Sequence, residues 1–195
     1  MKGEPLIVLV GLNKIKGEKM RVKHKFLDKY PIKGKKILII GTFNPDVECN
    51  DAKFFYGRSK NYFWDLLPKV FGYKSLKKES VGEKIAFLEK YEIELTDLIC
   101  EVELLEEDIC NYSDENLKKD IVWNTENIIK ILRKGNTKEV YFTRKTFNCI
   151  KNIEKEIKKI ENFCKKHNIK FEYLPTPARY INEKKLNEWR EKFLK

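Results

Sequence analysis

Three short stretches carry side chains whose types and spacing could do chemistry. In "GTFNPD", residues 41–46, an amide (Asn44) and a carboxylate (Asp46) flank a proline. The Asn44 side-chain carbonyl can hold a water molecule, Pro45 stiffens the turn, and Asp46 can accept a proton or stabilise positive charge. Asn-Pro and Asp are also ordinary turn formers, so the same residues fit a plain loop. In "FFYGRSKNYFW", residues 54–64, three aromatics precede a Gly-Arg-Ser-Lys break and an Asn precedes Tyr-Phe-Trp. Tyr56 can stack on a base, Arg58 and Lys60 can meet phosphates, and the Asn61 amide can read a base edge. The alternative makes Phe54, Phe63 and Trp64 core and Asn61 a helix cap. In "LPTPARY", residues 174–180, two prolines stiffen a loop that ends in Arg179 and Tyr180. Such a loop can press into a nucleic-acid groove, or simply connect a strand to a helix.

Other features exclude more than they propose. Arg144 and Lys145 open a charged amphipathic stretch and could contact phosphate, while "VELLEEDIC" reads as a solvated acidic face. Neither G-x-x-x-x-G-K-[ST] nor G-x-G-x-x-G occurs, which removes the nucleoside-triphosphate and dinucleotide readings. Five cysteines without a C-x-x-C pair predict reduced thiols rather than a disulfide framework, a zinc site or an iron–sulfur cluster. Two histidines, His24 and His167, supply a metal site or a catalytic dyad poorly.

The elements that must position these residues alternate. The apolar run at residues 36–40, bounded by Gly34 and Gly41, predicts a strand, and residues 93–99, 139–143 and 171–174 predict three more. "LIVLV" at residues 6–10 predicts an additional N-terminal strand. Helices are predicted at residues 63–71, after the Ser80-x-x-Glu83 capping box, after Asn124 or Thr125, from Phe147 through Phe163, and after Asn182. Strands separated by helices imply a mainly parallel sheet covered on both faces, which binds ligands at its carboxyl ends. The site is therefore expected at residues 42–46, 96–101, 143–145 and 175–180.

Composition fits one folded domain over residues 1–195, with residues 1–30 an extension of unassigned role. Hydrophobic residues make up 42% and charged residues 36%. No apolar run approaches a membrane span or a secretory signal, so a cytoplasmic location is expected. The net charge of +11, from 41 Lys and Arg against 30 Asp and Glu, favours a polyanionic partner; Lys-rich composition bias accounts for it equally simply.

The order of the three stretches resembles the uracil-DNA glycosylase superfamily, most closely its hypoxanthine-DNA glycosylase branch and next the mismatch-specific uracil/thymine branch. The likeness runs from about residue 36 to the C-terminus, through "GTFNP", "FYGRSKNYFW" and "LPTPARY". It implies a three-layer α/β/α sandwich around a four-stranded, mainly parallel sheet, with a flipped-base pocket at the strands' carboxyl ends. The implied reaction is hydrolysis of the N-glycosidic bond of a deaminated base, hypoxanthine or uracil, in damaged DNA. It implies no metal or organic cofactor, no membrane and a monomer. Asn44 matches the water-positioning amide of the Asn-Pro members, and Asn61 the Asn of the Asn-Arg-Phe-Trp segment, so either is the catalytic amide; Asp46 joins them. Thr42, Phe43, Tyr56 and Gly57 fall in the substrate-binding motifs. Arg58, Lys60, Arg144, Lys145, Thr176, Arg179 and Tyr180 make the DNA-binding set, with Arg179 at the inserting position. Asn44 stands one residue farther from Gly41 than in the mismatch-specific branch, and Tyr62 replaces the usual Arg. Two further readings stay open: a catalytically inactive nucleic-acid-binding protein of the same fold, and a hydrolase of small nucleosides.

Overall fold

The computed structural model describes residues 17–111, 116–117 and 119–194. Four strands make the central sheet: β2 (Ile37–Gly41), β3 (Ile93–Asp97), β6 (Glu139–Phe142) and β7 (Lys170–Tyr173). They lie in the order β3-β2-β6-β7 and every neighbouring pair is parallel. The remaining strands, β1 (Lys19–Lys23), β4 (Ile99–Leu105) and β5 (Lys119–Trp123), form a small antiparallel sheet in the order β1-β4-β5. The helices are α1 (Phe63–Val70), α2 (Val81–Lys90), α3 (Thr125–Leu132), α4 (Ile153–Lys166) and α5 (Glu183–Phe193).

Because side chains alternate along a strand, the apolar central strands feed two cores. Ile37, Ile39, Ile93, Leu95 and Tyr141 meet α1, α2 and α5 through Phe63, Trp64, Phe87, Leu186 and Trp189. Leu38, Ile40, Val140 and Phe142 meet α3 and α4 through Ile128, Leu132, Ile157 and Ile160, joined by Val22, Val102 and Leu104 of the small sheet. This is the expected three-layer sandwich with a parallel four-stranded centre. The turn before β2 is tied down by the buried Glu94 carboxylate, which accepts the backbone N–H groups of Lys33, Gly34 and Lys35 at 2.6, 2.7 and 2.9 Å. Three donors on one carboxylate compensate its removal from water. The Ser80–Glu83 capping box forms at α2, and the Asn182 side chain accepts the Lys185 N–H at α5, both as the sequence predicts.

Three expectations are corrected, and one segment of unassigned role finds its place. The acidic run at residues 101–108 is not simply a solvated face, since its first part is β4. Glu101 and Glu103 pair diagonally with Arg21 and Lys19 of β1 as cross-strand ion pairs. The predicted helix from Phe147 begins only at Ile153, after Asn152 in the left-handed region at φ 66°. Arg144 and Lys145 therefore sit in a loop, although Phe147 and Ile150 still reach the core. Cys49 and Cys110 are not thiols but a disulfide, with Cα atoms 5.9 Å apart across 61 residues of sequence. The fold brings the loop after β2 against the turn after β4, and no local spacing announces that. Of the N-terminal segment, whose role the sequence leaves unassigned, residues 19–26 are built into the fold. β1 pairs along β4, and Val22, His24 and Phe26 are buried. The apolar run at residues 6–10 lies outside the described residues.

Candidate active site

All four central strands deliver their last residues to one rim. There a cavity of about 640 Å³ opens between the loops that follow β2, β3, β6 and β7 and the segment around residues 56–61. It is the crevice that parallel α/β sheets offer ligands.

At its floor, Gly41 ends β2 and Asp97 ends β3 in direct register. Both are buried. Asp97 is held from two sides. Its backbone carbonyl accepts from the Asn124 Nδ2 at 2.9 Å, and its Oδ2 lies 2.6 Å from His24 Nε2. A β-carbon added at Gly41 would stand 2.1 Å from Asp97 Oδ1 and 2.7 Å from the Tyr56 hydroxyl. Glycine is thus required because the carboxylate and the phenol converge on this backbone position. The His24 imidazole sits edge-on to Phe43 and Phe26, with ring centroids 5.8 and 6.1 Å away, and beside Phe55 at 5.6 Å.

Tyr56 takes a positive φ of 56°, a conformation that costs a bulky residue of order 1–3 kcal/mol. Its ring stacks on Phe63 with centroids 4.0 Å apart and planes 7° from parallel. The Thr143 hydroxyl donates to the Ile40 carbonyl at 3.2 Å, which leaves its oxygen to accept from the Tyr56 hydroxyl, also at 3.2 Å. Burial, then the charge of Asp97, pushes the Tyr56 phenol well above its ordinary value, so it stays protonated. After this strained turn, a β-carbon added at Gly57 would stand 2.8 Å from the Phe54 carbonyl oxygen.

Asn44 is buried at the cavity wall, but its carbonyl is already engaged. Asn50 Nδ2 donates to Asn44 Oδ1 at 2.5 Å and to the Pro45 carbonyl at 2.6 Å, while Asn50 Oδ1 accepts the Ala52 N–H at 3.2 Å. That last bond fixes which way the Asn50 amide points, and hence which end of Asn44 meets it. A water-aiming carbonyl is expected at Asn44; the structure directs that oxygen to Asn50 and leaves the N–H₂ end to meet a ligand. Asn61 also lines the cavity, with its Oδ1 accepting the Phe63 N–H at 3.0 Å at the start of α1. The N-cap of α1 is nevertheless Tyr62, which makes no side-chain cap bond, so Asn61 stands one residue before the cap and its amide turns the chain toward the helix rather than capping it.

Two loops close the mouth by pairing with each other. The Tyr62 N–H donates to the Pro177 carbonyl at 2.8 Å, and the Arg179 N–H to the Lys60 carbonyl at 3.1 Å. The Lys185 ammonium anchors the second loop from below through the Tyr180 carbonyl at 2.7 Å and lies 3.8 Å over the Tyr180 ring. Burial and the nearby Arg179 lower its pKa. Arg58, Arg144, Lys145 and Arg179 supply cationic groups around the cavity, and Lys145 pairs with Glu188 at 2.8 Å.

The cavity therefore gathers Thr42, Phe43, Asn44, Tyr56, Arg58, Asn61, Arg144, Lys145, Thr176, Arg179 and Tyr180 from the sequence-derived set. It leaves three outside. Asp46 is exposed, with its N–H committed to the Lys23 carbonyl at 2.8 Å, and Gly57 and Lys60 are exposed beyond the lining. The His24–Asp97 pair was not singled out by sequence reasoning, which judged a histidine dyad poorly supplied. Asp97 does lie within the strand-end range that the carboxyl-end rule marks. Nothing local marks His24, which sits between Lys23 and Lys25 and whose only signal is its place on the alternating face of the buried Val22 and Phe26.

No protein-family model matches this sequence. No curated protein matches it either. A solution NMR structure described as "a putative Uracil DNA glycosylase from Methanosarcina acetivorans" shares the fold, with a TM-score of 0.58 at 16% identity over 83% of this chain and 92% of that one.

Proposed function

We propose that this protein is a DNA glycosylase that hydrolyses the N-glycosidic bond of a deaminated base. The observation that carries the reading is the cavity itself. A fixed carboxylate stands at its floor, amides line its wall, and cations ring its mouth where the four strands end. The likeness of fold to the archaeal structure described above supports it.

A nucleotide swung out of a duplex enters base first, with its phosphates held at the mouth. Arg58, Arg144, Lys145 and Arg179 suit those phosphates, and the net charge of +11 suits the duplex as a whole. The open face of Tyr56, backed by Phe63, is a stacking platform for the base. Asp97 then meets the base's edge as a pure hydrogen-bond acceptor. Deamination of adenine or cytosine converts a ring nitrogen from acceptor into N–H donor, and that is the change a fixed acceptor reads. The Asn44 N–H₂ end donates to the adjacent carbonyl of such a base. As the glycosidic bond breaks, its electron pair leaves with the base, positive charge develops on the sugar, and water adds to the anomeric carbon, losing a proton that neutralises the departing base. Donors already aimed at the departing base stabilise it without reorganisation. Asn61, nearer the mouth where the sugar lies, keeps a lone pair with which to orient the water.

The test uses labelled duplexes carrying uracil, hypoxanthine, xanthine or a T·G mismatch, followed by alkali. Strand scission at a lesion, absent from the undamaged control, is the expected result. Tight, salt-sensitive binding without scission at any lesion would replace the enzyme by a binding module of the same fold.

A further inference from the structure

The sequence likeness begins near residue 36, and the reading above makes no use of anything before it. His24 nevertheless lies against the floor carboxylate, with its side chain 1% exposed and that of Asp97 7%. Its ring is held by more than that one contact. The backbone N–H groups of Phe26 and Leu27 both point at Nδ1, at 3.0 and 3.2 Å. A nitrogen that accepts two N–H groups carries no hydrogen, so the ring proton is on Nε2 and is donated to Asp97 Oδ2. The backbone of this segment is itself fixed to the site. The His24 N–H donates to the Cys100 carbonyl at 2.8 Å, and the Lys25 N–H to the Asn44 carbonyl at 2.8 Å. The rings around it are Phe26 of its own segment and Phe43 and Phe55 of neighbouring ones, none of which carries a donor, while the Tyr56 hydroxyl that also comes near Asp97 is bonded to Thr143.

We infer that His24 is a positioning residue of the site: as the Nε2–H tautomer it commits one oxygen of Asp97 and turns the other, Oδ1, into the cavity as a fixed acceptor for the base's ring N–H. Without that donor the carboxylate rotates about its own axis and offers either oxygen. Selectivity for the N–H is then lost before binding of the duplex is. A site built around a buried hydrogen bond rejects the analogue that cannot make it, because its own polar group is left unpaired. The N-terminal segment is on this account part of the active site.

This inference rests on the glycosylase reading for its substrate, and its test separates the two. Wild type, His24→Gln and His24→Leu are compared on the lesion that wild type excises and on the same lesion methylated at the ring nitrogen. Both variants give up the ring that accepts from Phe26 and Leu27, so the difference between them isolates the donor to Asp97. Wild type is expected to prefer the unmethylated lesion by about tenfold or more in kcat/KM. His24→Gln keeps most of that preference and His24→Leu loses it, while KM for the lesion duplex moves little. A folded His24→Leu protein with undiminished preference overturns the inference. In parallel, ¹⁵N NMR of the imidazole in the full-length protein needs no activity. An Nε2–H tautomer that is perturbed by Asp97→Asn supports the inference even if no lesion is cut, and an Nδ1–H tautomer or an unresponsive ring overturns it.

Discussion

Replacing Gly41 by alanine exchanges a hydrogen for a methyl group at the point where the floor of the cavity is tightest. The backbone of Gly41 is not in the left-handed region, so alanine suffers no conformational penalty there and the effect is one of contact alone. The new β-carbon would lie 2.1 Å from Asp97 Oδ1, where ordinary contact begins at 3.4 Å, so about 1.3 Å of movement is required. Neither neighbour yields freely. Asp97 is tied by His24 at 2.6 Å and by Asn124 at 2.9 Å, and Tyr56 is stacked on Phe63 and bonded to Thr143. Overfilling a close-packed region costs about 1–3 kcal/mol. For a chain of this size each kcal/mol lowers Tm by about 2–4 °C, so a fall of about 2–12 °C is expected. Displacing a substrate-contacting group by about 1 Å costs on the order of 100-fold in rate. Calorimetry and single-turnover excision measure the two effects. Gly82→Ala is the control: it lies in α2, its nearest neighbour is the Ser80 Oγ at 3.7 Å, and it is expected to stabilise by about 0.5–1 kcal/mol. A Gly41→Ala protein with wild-type Tm and excision rate would refute the convergence of Asp97 and Tyr56 on this position.

Four other outcomes are expected. Asn44→Ala and Asn61→Ala each lower the single-turnover rate, Asn44→Ala by about 10²–10³-fold as for the loss of a preorganised donor, with duplex binding retained; equal rates in Asn44→Ala and wild type would remove Asn44 from the chemistry. Arg179→Ala weakens duplex binding alike for damaged and undamaged DNA, and flattens the plot of log K against log salt by about one unit, as titrations at several salt concentrations would show. Burial pushes the Cys164 thiol up to about 12, so it resists a thiol reagent at neutral pH in the native protein. Unfolding without reductant exposes three thiols and prior reduction five, read by reagent absorbance, because Cys49 and Cys110 are joined. Ser80→Ala removes the α2 cap and lowers Tm by about 2–4 °C at neutral pH. The Ser80 backbone N–H and then its hydroxyl hold the Glu83 carboxyl below its ordinary range, so this stabilisation is present above the unfolded value and is lost as pH falls through the folded one. Melts from pH 7 down to about pH 3 should show the gap between the two proteins narrowing by the share of the hold on Glu83 that the Ser80 hydroxyl supplies, while the loss of the Glu83 N–H bond to Ser80 Oγ persists at every pH.

The central strands were legible because each is a short apolar run closed by a turn residue, and α2 and α5 because their caps are written in side chains. The same runs, ordered by the rule that ligands bind where parallel strands end, located the cavity. What escaped notice is held together by pairings distant in sequence. β1 and β4 alternate charged residues with apolar ones, so their solvent side, with Lys19 and Arg21 paired diagonally to Glu103 and Glu101, resembles a hydrophilic loop until the partner strand is known. The Cys49–Cys110 bond and the His24–Asp97 pair join residues that no local pattern connects. Asn44 illustrates a finer failure. Its residue type and place were visible, but which end of its amide faces the cavity depends on Asn50, and that depends on a bond to Ala52.

The pairing of residues 60–62 with 177–179 has a consequence for how the chain matures. During synthesis the first half of the cavity leaves the ribosome long before the loop that completes it. Until β7 emerges the sheet lacks its edge strand, and until α5 follows Phe63 lacks Trp189, its edge-on neighbour at 5.9 Å. The nascent chain must therefore carry an uncovered aromatic face through most of its translation. Parallel pairings between distant segments also form slowly once all parts are present. Such an intermediate is a natural client for chaperones that bind exposed apolar surface. Truncations that remove the last helix should keep that aromatic face uncovered, since they take away Trp189 and, with Lys185, the anchor of the closing loop.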